Sequence, residues 1–173
     1  MDAAYADSEE DAHAERSYEQ VKRAVGDFRQ DVAMVTGAVD ATEVQQIMND
    51  SEELQEERRE KADQKKVPEL YTGDYGQVKE DYAVLVGTIG DSEMIDTLIG
   101  DGKLDEAKTI EGNWESYVIK EVENPLPGVE KGLVIAGSDA RGTIYGIYEI
   151  SENIGVSPFY WYSDVPVETK EEI

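Results

Sequence analysis

Two short apolar runs constrain this chain most. Ala83-Val84-Leu85-Val86-Gly87 and Leu133-Val134-Ile135-Ala136-Gly137 are each five residues long, rich in branched side chains, and closed by a glycine. Runs this short, without polar alternation, read as strands of a sheet buried on both faces. Each is followed by turn residues and then by helical periodicity. After the first, Gly87-Thr88-Ile89-Gly90 makes a loop and Asp91 or Ser92 caps a helix with Met94, Ile95, Leu98 and Ile99 on its apolar face; Gly100-Asp101-Gly102 stops it. After the second, Ser138 or Asp139 caps a helix with Ile144, Ile147, Tyr148 and Ile150 inward, ending near Gly155. A further strand spans Trp114 to Val122, and the rigid turn Asn124-Pro125-Leu126-Pro127-Gly128 joins it to the Leu133 strand as an antiparallel neighbour. The pattern predicts an α/β fold: a small mixed β-sheet of three or four strands flanked by helices.

The first half is more polar. Ser17-Tyr18-Glu19-Gln20 has capping-box spacing and predicts a helix start. Val21, Val25, Phe28, Val32 and Val35 then form one stripe, with Gly37 as the left-handed stop. Residues 1–16 read as a disordered acidic lead. From about 41 to 79 the chain is charged and poor in large apolar residues, which predicts an insertion or solvated helix ended near Pro68. The domain itself is expected over 17–167, with 168–173 as a tail.

Composition excludes several function classes. Forty acids face 16 bases among 173 residues, a net charge of −24. Such a surface repels phosphate backbones and anionic bilayers, so neither nucleic acid nor membrane is an expected partner. The excess is dispersed along the chain, as on a very soluble or salt-tolerant surface. There is no cysteine, and the single histidine, His13, lies in the acidic lead. Thiolate catalysis, disulfides and Cys/His metal centres are thereby excluded, and no metal or cofactor is expected. No secretory signal is visible in the first 16 residues, and the compartment stays open.

Three segments are placed where chemistry could occur. Gly87-Thr88-Ile89-Gly90-Asp91-Ser92 joins a strand to a helix N-terminus, but it lacks both glycine-rich phosphate fingerprints and Asp91 opposes an anion, so a tight turn with an N-cap is expected. Gly137-Ser138-Asp139-Ala140-Arg141-Gly142 occupies the carboxyl end of a strand, where ligands of open α/β sheets bind. There Arg141 is suited to fork onto a carboxylate; alternatively, Ser138 or Asp139 caps the helix and Arg141 ties down a loop or a neighbouring domain. The aromatic block Phe159-Tyr160-Trp161-Tyr162 reads as a packing surface or a sugar platform. No carboxylate sits inside an apolar strand run, where an acid with a raised pKa would be made. Asp139 and Asp164 flank apolar segments as natural cap or turn residues, and Asp101 with Asp105 does not fit a calcium loop. No catalytic residue is assigned.

In order along the chain, several stretches resemble the N-terminal domain of family 115 glycoside hydrolases, the xylan α-1,2-glucuronidases. They are Tyr18-Glu19-Gln20-Val21-Lys22-Arg23-Ala24, Val84-Leu85-Val86-Gly87-Thr88-Ile89-Gly90, Gly102-Lys103-Leu104-Asp105, Trp114-Glu115-Ser116-Tyr117 and Asn124-Pro125-Leu126-Pro127-Gly128-Val129. The longest are the segment from Val134 through Gly137-Ser138-Asp139-Ala140-Arg141-Gly142 to Tyr148, and the segment from Ile154 through Phe159-Tyr160-Trp161-Tyr162 to Pro166. The resemblance implies a module similar to the second domain of hexosaminidases, set before a TIM-barrel catalytic domain that removes glucuronic acid or its 4-O-methyl ether from xylan with inversion. It implies a chain that stops before the barrel and is inactive alone, with that barrel as partner and glucuronoxylan as a possible ligand. Ser138, Asp139 and Arg141 then become a substrate or interdomain loop, and Phe159 to Tyr162 an interdomain seam. The family is extracellular or periplasmic. It also carries a strand just ahead of the Tyr18 segment; here that place holds the polar stretch Asp7 to Arg16, so an edge strand is not expected. An autonomous carbohydrate-binding or self-associating module is the alternative.

Overall fold

The computed structural model describes residues 3–37, 78, 81–160 and 165–170, with side chains from residue 12 onward. The charged stretch expected around 41–79 falls almost wholly outside the described residues, as do Trp161 and Tyr162. The elements in chain order are α1 (Ala3–Val35), β1 (Tyr82–Thr88), α2 (Glu93–Gly100), a 3-10 turn (Asp105–Thr109), β2 (Tyr117–Glu123), β3 (Lys131–Gly137) and α3 (Ala140–Ile154). The chain divides into two compact units, residues 1–25 with 71–147 and residues 26–70 with 148–173.

The first unit holds the sheet. Its order is β1-β3-β2, with β3 parallel to β1 and antiparallel to β2. This is the small mixed α/β sheet that the apolar runs predict, with the expected antiparallel partners. The register sets Val86 beside Ile135 and Ile119 on the other side of Ile135. The turn between β2 and β3 is held by Asn124 N–H donating to the Glu130 carbonyl at 2.7 Å, and both Asn124 and Gly128 take positive φ. Ser92 is the N-cap of α2, its Oγ accepting from Ile95 N–H, and Asp91 and Ser92 N–H both turn back onto the Thr88 carbonyl. Gly87–Ser92 is thus the tight turn its composition implies. Ile95 and Leu98 of α2 join Leu85, Val134, Ala136, Val122 and Leu104 in one apolar cluster.

Two strand expectations need correction. Val84 is 45% exposed, so β1 is not buried on both faces: side chains alternate along a strand, and Leu85 rather than Val84 enters the cluster. The strand expected from Trp114 begins instead at Tyr117, because the backbone of residues 115 and 116 is bonded to another loop. The face of α3 also differs. Within the first unit its buried residues are Gly142, Thr143, Gly146 and Ile147. A side chain at Gly146 would stand 2.7 Å from Ile135 Cγ2, so the helix lies too close to β3 for anything but glycine there.

In the second unit the end of α1, with Ala33, Met34 and Val35, packs with Val156 and Tyr160. Gly37 takes φ +69° and its N–H donates to the Met34 carbonyl, the left-handed stop that the sequence implies. Residues 165–170 follow without regular structure, and Lys170 N–H donates to the Val35 carbonyl at 2.7 Å. The start of α1 lies at Ala3, not Ser17. Ser17 is internal to the helix, with its hydroxyl 3.4 Å from His13 Nδ1. Tyr148, expected inward, is half exposed, and its hydroxyl donates to Asp27 at 3.1 Å.

Candidate functional site

The loop after β3 is built around Asp139. Its Oδ1 accepts from Gly142 N–H at 2.7 Å, which makes it the N-cap of α3, and its Oδ2 accepts from Glu115 N–H at 2.8 Å. Both carboxylate oxygens are therefore engaged by backbone donors. Ser138 adds a reciprocal pair: Ser138 N–H donates to the Ser116 carbonyl at 2.9 Å, and Ser116 N–H donates to Ser138 Oγ at 3.1 Å. Two loops, 114–116 and 138–142, are thus bonded along their length. Glycine makes the approach possible, since a Cβ at Gly142 would stand 2.2 Å from the Ser116 carbonyl oxygen. Below them Thr143 Oγ1 meets Thr88 Oγ1 at 2.8 Å, satisfying two buried hydroxyls at the ends of β1 and α3.

What this frame presents to solvent is Arg141. Its Nη1 lies 2.9 Å from Glu115 Oε1, and its Nη2 donates to Tyr145 Oη at 3.1 Å. The hydroxyl of Tyr145, with the Glu115 carboxylate second, holds the guanidinium firmly charged. Glu115 adopts φ +52°, a left-handed conformation that non-glycine residues adopt at a cost. Beside it Trp114 is 88% exposed. The structure therefore brings Ser138, Asp139 and Arg141 together, but in different roles. The first two hold the frame, and the third faces outward.

Of the aromatic block, Phe159 and Tyr160 are among the described residues. Tyr160 is buried at 3% exposure in the cluster with Met34 and Val156, whereas Phe159 is 64% exposed.

Asp31 was not singled out by sequence reasoning. It is 8% exposed in the second unit, on α1. Burial raises its pKa from 3.8 to about 6, and the Asp27 carboxylate pushes in the same direction. The Ser151 hydroxyl opposes that rise, though it makes no well-formed hydrogen bond. A carboxyl poised in that range is the type of group used as a general acid. The signal was present: Asp31 is three residues after Phe28 and four before Val35, on the apolar stripe itself. Among the described residues, no group of three or more His, Asp or Glu could hold a metal ion, and no helix is long and apolar enough to cross a membrane.

No protein-family model and no curated protein match the chain. Among solved structures it is similar to BtGH115A, a family GH115 4-O-methyl-α-glucuronidase with specificity for decorated arabinogalactans. The two are 36% identical over 51% of this chain and 10% of that chain, with a TM-score of 0.42. The chain thus spans about a tenth of the length of that enzyme, to which it is similar over half of its own residues.

Proposed function

We propose that this chain is a non-catalytic accessory domain of a glycoside hydrolase that removes glucuronic acid or its 4-O-methyl ether from a plant polysaccharide. The observation that carries the reading is the use of Asp139. Asp139, the one acid between Val134 and Tyr148, gives both oxygens to backbone N–H groups, 2.7 and 2.8 Å away. A carboxylate so held cannot attack a substrate without losing the helix cap and the loop clamp. It organises a surface instead. On that surface Arg141 remains outward, where its guanidinium is accessible to a neighbouring domain.

In this reading the loop at Ser138, Asp139 and Arg141 forms one wall beside a catalytic barrel, and the segment from Phe159 to Tyr162 is a seam toward it. The test is complementation. A GH115 enzyme lacking its first domain is assayed on glucuronoxylan with and without this chain. Recovery of turnover on adding the wild-type chain, and less on adding Arg141→Ala, is expected. Equal rates with and without the chain would refute the accessory role.

A further inference from the structure

The loop pair does more than brace α3. It holds an indole in water. Trp114 is 88% exposed, yet its own carbonyl accepts from Ser116 Oγ at 3.0 Å, and the next two residues are bonded to Asp139 and Ser138. A large apolar side chain left in solvent at a pinned position, next to a residue in strained backbone conformation, is a feature that folding alone does not favour. Next to it in sequence is Glu115, whose carboxylate pairs with Arg141, and Arg141 bonds in turn to Tyr145, all in the same unit.

We infer that Trp114, Glu115, Arg141 and Tyr145 form a surface site for an uncharged polysaccharide chain. The indole supplies an apolar platform for a pyranose face. The Glu115–Arg141 pair sets carboxylate acceptors beside guanidinium donors, the complement of two adjacent sugar hydroxyls. Charge selects the ligand. At −24 the protein repels polyanions and a second copy of itself, while a neutral glycan meets no Coulombic barrier. Trp114 and Arg141 are largely exposed, so an extended chain lying across them fits better than a small molecule needing enclosure. The inference goes beyond the accessory-domain reading, and its experiment uses this chain without a catalytic domain.

The test is an NMR titration of the full chain with neutral hexasaccharides (β-1,4-glucan, β-1,4-xylan and β-1,4-mannan), reading the two indole N–H signals. Trp114→Phe assigns its signal. With at least one hexasaccharide, a saturable shift of the Trp114 signal is expected by roughly 20 mM ligand. Trp114→Ala and Arg141→Gln should each weaken binding by about tenfold or more, with amide spectra otherwise preserved. Hexagalacturonate should bind more weakly than the neutral ligand, most clearly at low salt. The inference is overturned if no neutral hexasaccharide moves the Trp114 signal, if binding survives Trp114→Ala, or if the polyanion binds more tightly. It is also overturned if the Trp114 signal shifts with protein concentration alone, since the indole would then mark a protein contact.

Discussion

Replacing Asp31 by asparagine should stabilise this protein at neutral pH and leave it unchanged in acid. The carboxyl titrates near 3.8 when unfolded and about 6 when folded. Below the lower value both states hold the proton and the group contributes nothing. As pH rises toward 6 the unfolded chain releases its proton while the folded chain retains it, so the unfolded state is progressively favoured. Above that the penalty is constant. A shift of about two units corresponds to roughly 3 kcal/mol, an upper limit because local opening hydrates the group. In a domain of this size that is a melting-temperature difference of about 6–12 °C. Asparagine carries no charge at any pH and is close in shape. Urea or thermal denaturation of both proteins from pH 3.5 to 8 at fixed ionic strength isolates the effect, because the other acids cancel in the difference. The difference should grow from near zero below pH 4 to its plateau above pH 6. A pH-independent difference, or a variant less stable than wild type at pH 7, would refute the assignment.

Other expectations follow from the loop pair. Gly142→Ala places a methyl against the Ser116 carbonyl and should cost about 1–3 kcal/mol by denaturation. Asp139→Ala removes a helix cap and the Glu115 tether together and should cost about 2 kcal/mol, whereas Asp139→Asn, which keeps one acceptor oxygen, should lose less. Glu115→Gly relieves the positive φ and, because the Arg141 pair is largely exposed, should be neutral to stabilising by up to about 1 kcal/mol. A clear loss of stability in that variant would show that the ion pair outweighs the strain.

How much of this was legible before the structure depended on where the signal is local. The β3 run, the Ser92 cap, the Gly37 stop and the Asn124–Gly128 turn were all readable, because each is fixed by side-chain chemistry or positive φ within a few residues. The buried face of α3 was legible only in part: Ile147, expected inward, is fully buried. Its other close contacts are made by Gly142, Thr143 and Gly146, chosen for closeness rather than hydrophobicity, whereas Tyr148, also expected inward, is half exposed. Trp114 read as strand because its neighbours are β-formers, but Ser138 and Asp139, more than 20 residues away, take the backbone groups a ladder would need. Ser17 fits a capping box, yet the helix continues through it, since serine costs little inside a helix whose tertiary contacts lie further along. At the site, the loop was readable but its division of labour was not: the sequence left Asp139 open between ligand and cap, and both of its oxygens turned out to be structural.

The central claim is that this chain organises a surface and does no glycosidic chemistry. The most direct measurement is release of free 4-O-methylglucuronic acid from glucuronoxylan by the purified chain alone, run in parallel with Asp31→Asn. The account predicts no release above a no-protein control for either. Release that persists through purification and disappears in the Asp31→Asn variant would contradict it, and would make the buried Asp31 a catalytic acid.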